Sequence, residues 1–141
     1  MDVARKAVIL ARLVGWRGGL DDVAVESLVP EPLRGVSTEE FVARVGTGAL
    51  DAEWARRVAD ARDAGRVLRY RAEVTPKRVR VGVVEVDASS PFASLTGTDN
   101  QFVFTTKRYH ERPLVITGPG AGPAVTAAGV LNDVLALAAA R

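Results

Sequence analysis

The sequence contains no cysteine and only one histidine, His110. The absence of cysteine excludes disulfides, thiolate nucleophiles and cysteine zinc sites. A single histidine argues against a histidine-rich metal centre and against a Ser–His–Asp triad, so no metal site is expected. No apolar run reaches the roughly 18 residues that a membrane-spanning helix needs. We therefore expect no membrane partner.

The chain also lacks an excess of charge of one sign. It has 19 basic and 17 acidic residues, so the net charge is only +2. Nucleic-acid-binding proteins usually concentrate their bases on one face or one helix. Here the basic residues are scattered along the chain. The densest group lies in a segment of alternating polarity, which is typical of a strand with one solvent-exposed face. Its members are Arg69, Arg71, Lys77, Arg78 and Arg80. No nucleic-acid partner is expected.

What the chain does have is the composition of one globular domain, with 48% hydrophobic and 26% charged residues among 141. That balance excludes intrinsic disorder. The apolar run at positions 7–14 contains Arg12, and Asp2 directly follows Met1. A signal peptide needs a basic start and an unbroken apolar stretch. The sequence therefore predicts no secretory leader and a chain that begins inside a helix.

Helical periodicity predicts three helices in the first half of the chain. The first covers Asp2 to Trp16, and the second runs from Ser37 to Val45, with Ser37 and Glu40 forming a capping box. The third begins with Asp51 as N-cap, turns Trp54, Val58 and Ala61 inward and ends near Gly65.

Alternation of apolar and polar residues predicts strands. The parity of the valines changes at Gly82, which predicts a bulge or sharp bend there. Thr75 to Lys77 reads as a hairpin connection. The expected strands are 23–29, 67–74, 79–86, 101–106 and 114–117, and a last helix is expected over 123–140. The order of elements predicts an α+β fold, a mainly antiparallel sheet backed by helices on one face, with a C-terminal helix after a glycine-rich turn.

The first candidate for chemistry is the pair Asp2 and Lys6, which lie four residues apart and therefore share one helix face. A surface ion pair is one interpretation. The other is an acid–base pair, in which lysine exchanges a proton with a substrate oxygen and the carboxylate orients it. Spacing alone does not decide between them.

The second candidate is the glycine-rich turn from Gly118 to Gly122, between a strand and the last helix. Free amides at a helix N-terminus can bind a phosphate or carboxylate, although a plain helix-entry turn has the same pattern. It is not a dinucleotide fingerprint, because Pro123 stands where the third glycine would fall. The segment Ser94–Asn100 is a polar turn, and His110 is expected on an exposed loop.

Five segments together resemble homoserine dehydrogenase, most closely the form fused behind aspartokinase. They are DVARK (2–6), ESLVPEPLR (26–34), VLRY (67–70), PFASLTGTDN (91–100) and GPGAGPAVTAAGV (118–130). The resemblance covers essentially the whole chain, in order and with family-like spacing.

The resemblance implies reduction of L-aspartate 4-semialdehyde to L-homoserine, or the reverse, with NADP or NAD as cofactor. By the same resemblance Lys6 is the catalytic lysine and Asp2 the carboxylate that binds substrate and partners Lys6. Gly122 is the glycine that approaches the dinucleotide, and Thr126 lies in the helix turn behind it. Residues 1–117 would be part of a substrate and dimerisation domain, and 118–141 the turn and helix that pack on a nucleotide-binding domain.

The family's nucleotide-binding domain has no counterpart in this sequence, so the resemblance implies a C-terminal part of the enzyme that is inactive alone. The implied pathways are threonine, methionine and isoleucine biosynthesis, and the implied partners are a second subunit and a nucleotide-binding or aspartokinase part. The implied location is the cytoplasm, or the plastid stroma for a plant or alga. The alternative is a stand-alone noncatalytic module that dimerises or binds a small amino acid.

Overall fold

The computed structural model describes residues 1–48 and 50–140, which form two compact units, Met1–Ala88 and Ser89–Arg141. The first unit contains α1 (Asp2–Leu13), β1 (Ala24–Val25), α2 (Thr38–Gly46), α3 (Asp51–Asp63), β2 (Arg66–Val74) and β3 (Val79–Asp87). The second contains β4 (Asp99–Phe104), β5 (Leu114–Pro119) and α4 (Pro123–Ala139). Short 3-10 turns occupy Leu20–Asp22, Glu31–Leu33 and Pro91–Ser94. The α+β class is confirmed.

The sheet of the first unit has the strand order β1-β3-β2. β2 and β3 form a long antiparallel hairpin whose register runs from Arg66 opposite Asp87 to Val74 opposite Val79. The connection expected at Thr75–Lys77 is confirmed, since the Thr75 amide donates to the Arg78 carbonyl at 2.9 Å. β1 lies parallel to β3 and is only two residues long, much shorter than the strand expected over 23–29.

Helix α1 covers one face of this sheet through small side chains. Its buried residues recur at helical spacing and pack with two valines of β3 and with Val23 and Trp16. Alanines let the helix backbone approach the sheet closely, and the valines fill the remaining space. The cluster is Ala4, Ala7, Val8, Ala11, Trp16, Val23, Val79 and Val81. The first unit therefore has its core between α1 and the hairpin.

The end of α1 differs from the sequence prediction, which extended the helix to Trp16. Gly15 has φ +89°, its amide donates to the Arg12 carbonyl, and the Trp16 amide donates to the Ala11 carbonyl. These two bonds form a Schellman motif, in which a glycine in the left-handed region ends the helix. Trp16 thus leaves the helix axis and joins the core, where it is buried.

The bulge expected at Gly82 is absent, because the pairing of β2 with β3 continues unbroken through Arg71 opposite Gly82. The parity of buried valines changes for another reason. Val79, Val81 and Val83 face α1, whereas Val86 is buried on the opposite face. On that opposite face a Cβ at Gly82 would lie 2.7 Å from Glu26 Oε2. The glycine therefore makes room for Glu26, and both faces of the sheet are covered.

Helix α2 begins as predicted, with the Glu40 amide donating to Ser37 Oγ at 3.2 Å. The Glu40 carboxylate pairs with Arg44 rather than completing the capping box. In α3, Asp51 is the first helical residue and Leu50 the N-cap.

The sequence prediction of which α3 residues face inward is wrong for one of the three. Ala61 is buried and Trp54 is half-buried, but Val58 is exposed. Arg57 takes its place: its guanidinium lies 4.7 Å from the centre of the Trp54 ring and 3.5 Å from Glu26 Oε1. The helix thus turns a cation toward the carboxylate that follows β1.

The second unit holds a separate antiparallel pair, β4 and β5, rather than a continuation of one four-stranded run. Its register runs from Asp99 opposite Pro119 to Phe104 opposite Leu114. Helix α4 follows β5 after a three-residue connection, close to the predicted bounds. None of the described residues of this unit is buried, although α4 is rich in leucine, valine and alanine.

Candidate functional site

Asp2 and Lys6 form an ion pair on the exposed side of α1. Lys6 Nζ lies 2.8 Å from Asp2 Oδ2, and both side chains are 72% exposed. The helix beneath them is held in place because Ala4 and Ala7 are packed against the sheet. One turn of a fixed helix therefore presents an ammonium and a carboxylate together to solvent, where a polar substrate can reach both.

The electrostatics of this pair act on the carboxyl group. The hydrogen bond from Lys6 lowers the pKa of Asp2 below its ordinary value, and the charge of Lys6 lowers it further. Asp2 is thus an acceptor at neutral pH, and its free lone pairs can accept from a substrate ammonium while one oxygen holds Lys6. The arrangement suits an acid–base pair as well as it suits a surface ion pair.

The glycine-rich turn lies in the second unit, between β5 and α4. Gly122 is the N-cap of α4 and has φ +137°, a conformation that side-chain-bearing residues rarely adopt. Its carbonyl accepts from the Thr126 amide at 3.0 Å, which starts the helix. A Cβ at Gly122 would have nothing within 4 Å. The backbone at this point is therefore open to close approach by a ligand.

The residues of this turn fit a nicotinamide dinucleotide in two respects. Glycine backbone with open space beside it allows a large ligand to come close, and the first turn of α4 has amides without helical acceptors. The glycine-rich turn therefore has room and free backbone amides for a ligand.

The polar turn 94–100 and the glycine-rich turn prove to be neighbours in the structure. The Gly120 amide donates to the Thr98 carbonyl at 3.3 Å, and Asn100 is the strand partner of Gly118. Nothing within either segment predicts that they are neighbours. The signal that could have joined them is the pairing of β4 with β5, since a hairpin register brings both ends of the strands together.

The structure brings Asp2 and Lys6 together in the first unit and places Gly122 in the second. His110 lies in the exposed connection between β4 and β5, as expected. Within residues 1–48 and 50–140 no group of histidine, aspartate and glutamate side chains is arranged to hold a metal ion. Over the same residues no helix has both the length and the apolar character to cross a bilayer.

Comparison with known proteins gives a consistent result along the chain. Residues 1–135 match the homoserine dehydrogenase family model. A bifunctional aspartokinase/homoserine dehydrogenase, chloroplastic, from Daucus carota is 49% identical over 141 residues, and a homoserine dehydrogenase from Schizosaccharomyces pombe is 48% identical over 139. A crystal structure of a Candida auris protein of unknown function superposes with a TM-score of 0.86 at 42% identity and covers 97% of this chain.

These similar proteins are much longer than the chain. The matched region is 15% of the carrot protein, 36% of the S. pombe protein and 38% of the Candida auris chain, while it covers 96–97% of the present sequence. The chain thus spans little more than a third of even the shorter relatives.

Proposed function

Because the chain belongs to the homoserine dehydrogenase family, we propose that it carries the proton-transferring lysine and a C-terminal dinucleotide contact of such an enzyme. The reaction is the NAD(P)-dependent interconversion of L-aspartate 4-semialdehyde and L-homoserine, which serves threonine, methionine and isoleucine biosynthesis. The observation that supports this most directly is the 2.8 Å contact between Lys6 Nζ and Asp2 Oδ2 on an exposed turn of α1.

Lys6 is the proposed general acid of aldehyde reduction. The nicotinamide dinucleotide, when bound, supplies the hydride that is added to the carbonyl carbon. The ammonium of Lys6 gives a proton to the carbonyl oxygen, so that the oxygen does not have to carry a full negative charge. In the oxidation of homoserine the same nitrogen takes the proton from the hydroxyl group.

Asp2 is the proposed substrate-binding carboxylate. It holds the Lys6 ammonium in place and keeps further lone pairs for the amino group of the substrate. Because Asp2 and Lys6 are fixed on one turn of a packed helix, the distance between substrate anchor and proton donor is set before the substrate arrives. Such pre-orientation is a large part of what an enzyme contributes to a bimolecular reaction.

Gly122 is the proposed dinucleotide contact, with NADP or NAD as the cofactor. Its open backbone side supports this role. We further propose a homodimer, supported by the exposed apolar side chains of β4 and β5, including Phe102, Phe104 and Ile116. Such contiguous apolar surface is typical of a surface that another protein covers.

The proposed organisation assigns 1–117 to a substrate and dimerisation part and 118–141 to the turn and helix that contact a nucleotide-binding part. The matched relatives leave room for that part, since the chain covers 36% of the S. pombe protein. An aspartokinase part is the further partner suggested by the fused relatives, of which the carrot protein is named chloroplastic. We propose the cytoplasm as the location, or the plastid stroma for a plant or algal source.

The test is a chimera in which these 141 residues replace the matched segment of the S. pombe homoserine dehydrogenase. We expect NADP-dependent oxidation of L-homoserine, and a loss of about 10²- to 10⁴-fold in kcat with Lys6→Ala, the usual contribution of general acid–base catalysis. Lys77→Ala is the matched control, because Lys77 lies in the exposed β2–β3 turn. An active Lys6→Ala chimera would refute the role of Lys6.

The same assay on the chain alone separates an enzyme from a noncatalytic module. We expect no activity, because the turn at Gly122 alone would not hold the nicotinamide in the position that hydride transfer needs. A folded chimera without activity, in which the native S. pombe segment is active, would contradict the proposed function.

A further inference from the structure

The two polar motifs of the second unit are joined through one side chain, Asn100. If Gly120 carried a Cβ, that atom would collide with Nδ2 and Cγ of Asn100 and lie 3.2 Å from its Cβ. The amide end of Asn100 therefore occupies the space that any other residue at position 120 would need. This is a close side-chain-to-backbone contact between β4 and the glycine-rich turn.

The three glycines of the turn differ in what opposes a side chain at each position. Gly122 is required by its backbone conformation, at φ +137°. At Gly120 the three atoms nearest to a Cβ would all belong to Asn100, so the Asn100 side chain would have to move. Gly118 has no atom within 4 Å of its missing Cβ and no unusual φ.

We infer that Asn100 is a positioning residue, which holds Gly120 and thereby sets the path of the turn that presents Gly122 to the dinucleotide. The part of this inference that concerns the dinucleotide rests on the proposed function. Asn100 itself does not touch the reacting atoms.

The geometry favours positioning over a role in the stability of the fold. Gly120 meets the start of β4 in two ways, by its close contact with Asn100 and by the bond from its amide to the carbonyl of Thr98, just before the strand. Both contacts lie within two residues of Gly122. Asn100 is exposed, so removal of its side chain opens no cavity in a core. Its loss should release the turn while the rest of the chain stays folded.

The first test uses the 141-residue chain and needs no activity. Asn100→Ala should shift the amide resonances of Gly120, Ala121 and Gly122 in ¹⁵N spectra and speed their hydrogen exchange. Asn132→Ala is the matched control, because Asn132 is an exposed asparagine on α4. The inference is overturned if Asn100→Ala changes only residues of β4 and leaves the turn as it is in the native chain.

A double substitution tests whether Asn100 and Gly120 act as one unit. Gly120→Ala must displace the Asn100 side chain, so its spectrum at the turn should resemble that of Asn100→Ala. The double variant should then be no more perturbed than either single one, since residues in contact are not additive. Additive changes would mean that the two residues act independently and would overturn the inference.

The second test compares the KM for the dinucleotide with the KM for homoserine in the S. pombe chimera. Asn100→Ala should raise KM for the dinucleotide roughly fivefold, because the turn that presents Gly122 is no longer held in one path, and leave KM for homoserine within about twofold. An equal rise in both constants would overturn the inference. An inactive native chimera would refute the proposed function and the part of the inference that concerns the dinucleotide, while the spectra of the chain still decide whether Asn100 positions the turn.

Discussion

Substitution of Gly82 by alanine tests the account of the second sheet face. A Cβ at this position would lie 2.7 Å from Glu26 Oε2 and 2.8 Å from Glu26 Cβ. A carboxylate can swing away, but the Cβ of Glu26 is fixed to the backbone directly after β1. The Glu26 amide is bonded to the Val81 carbonyl at 2.8 Å, so the collision must strain the pairing of β1 with β3.

Two destabilising contributions and one stabilising contribution set the size of the effect on the free energy of unfolding. Forcing extra atoms into a packed site costs about 1–3 kcal/mol. Displacement of Glu26 would also break its ion pairs with Arg57 and Arg80. Both pairs are half-exposed, so each is worth a few tenths of a kcal/mol. Alanine in place of glycine restricts the unfolded chain and returns about 0.4–1 kcal/mol. The expected net loss in the free energy of unfolding is about 1–2 kcal/mol.

Urea denaturation followed by tryptophan fluorescence measures this loss, since Trp16 is part of the core of the same unit. Gly35→Ala is the matched control, because a Cβ there would meet nothing within 4 Å and the φ of Gly35 is not positive. The control should be neutral or slightly stabilising. If Gly82→Ala is as stable as Gly35→Ala, Glu26 does not occupy the space that the structure gives it, and the explanation of the parity change is wrong.

Two further predictions concern α1 and the core beneath it. The Asp2 carboxyl should titrate below the ordinary aspartate value of 3.8, because Lys6 donates to it. Its pair with Lys6 is therefore kept above that pH and lost as the pH falls through the lowered pKa. NMR titration checks this, and Lys6→Ala should return the midpoint toward 3.8; an unchanged midpoint would contradict the ion pair. Val81→Ala, at a fully buried site, should cost roughly 2–3 kcal/mol of unfolding free energy, whereas Val130→Ala, on the exposed side of α4, should cost far less. Equal urea midpoints for these two variants would refute the placement of the core.

Local pattern was enough to predict most elements of this fold. The bounds of the β2–β3 hairpin and of α4 follow from periodicity and from turn residues within a few positions. The Ser37 cap is also local, since donor and acceptor lie three residues apart. In each of these features, the residues that determine the structure are close together in the sequence.

The errors arose where the cause is distant in sequence. The parity change at Gly82 looked like a bulge because nothing nearby reveals that Glu26, 56 positions earlier, covers the other face. Val58 was placed inward because it is apolar, whereas α3 turns Arg57 toward Glu26 instead.

The contacts of the candidate site also differ in whether the local sequence predicts them. Asp2 and Lys6 are four residues apart on one helix, so their contact was predictable from spacing, although their chemistry was not. The link between Asn100 and Gly120 crosses from β4 to the end of β5, and only the pairing of these strands reveals it. Contacts that depend on strand register lie beyond a reading of local sequence.

Helix α1 is constrained on two sides at once, and this limits how its sequence can evolve. Alanines on one side set the distance to the sheet, while Asp2 and Lys6 occupy the other. Substitution is tolerable at positions between the two sides, such as Arg12, which is exposed. Insertion is not, because one extra residue between Asp2 and Lys6 would rotate the two by about 100° relative to each other. We expect point changes to accumulate along this helix while its length stays fixed.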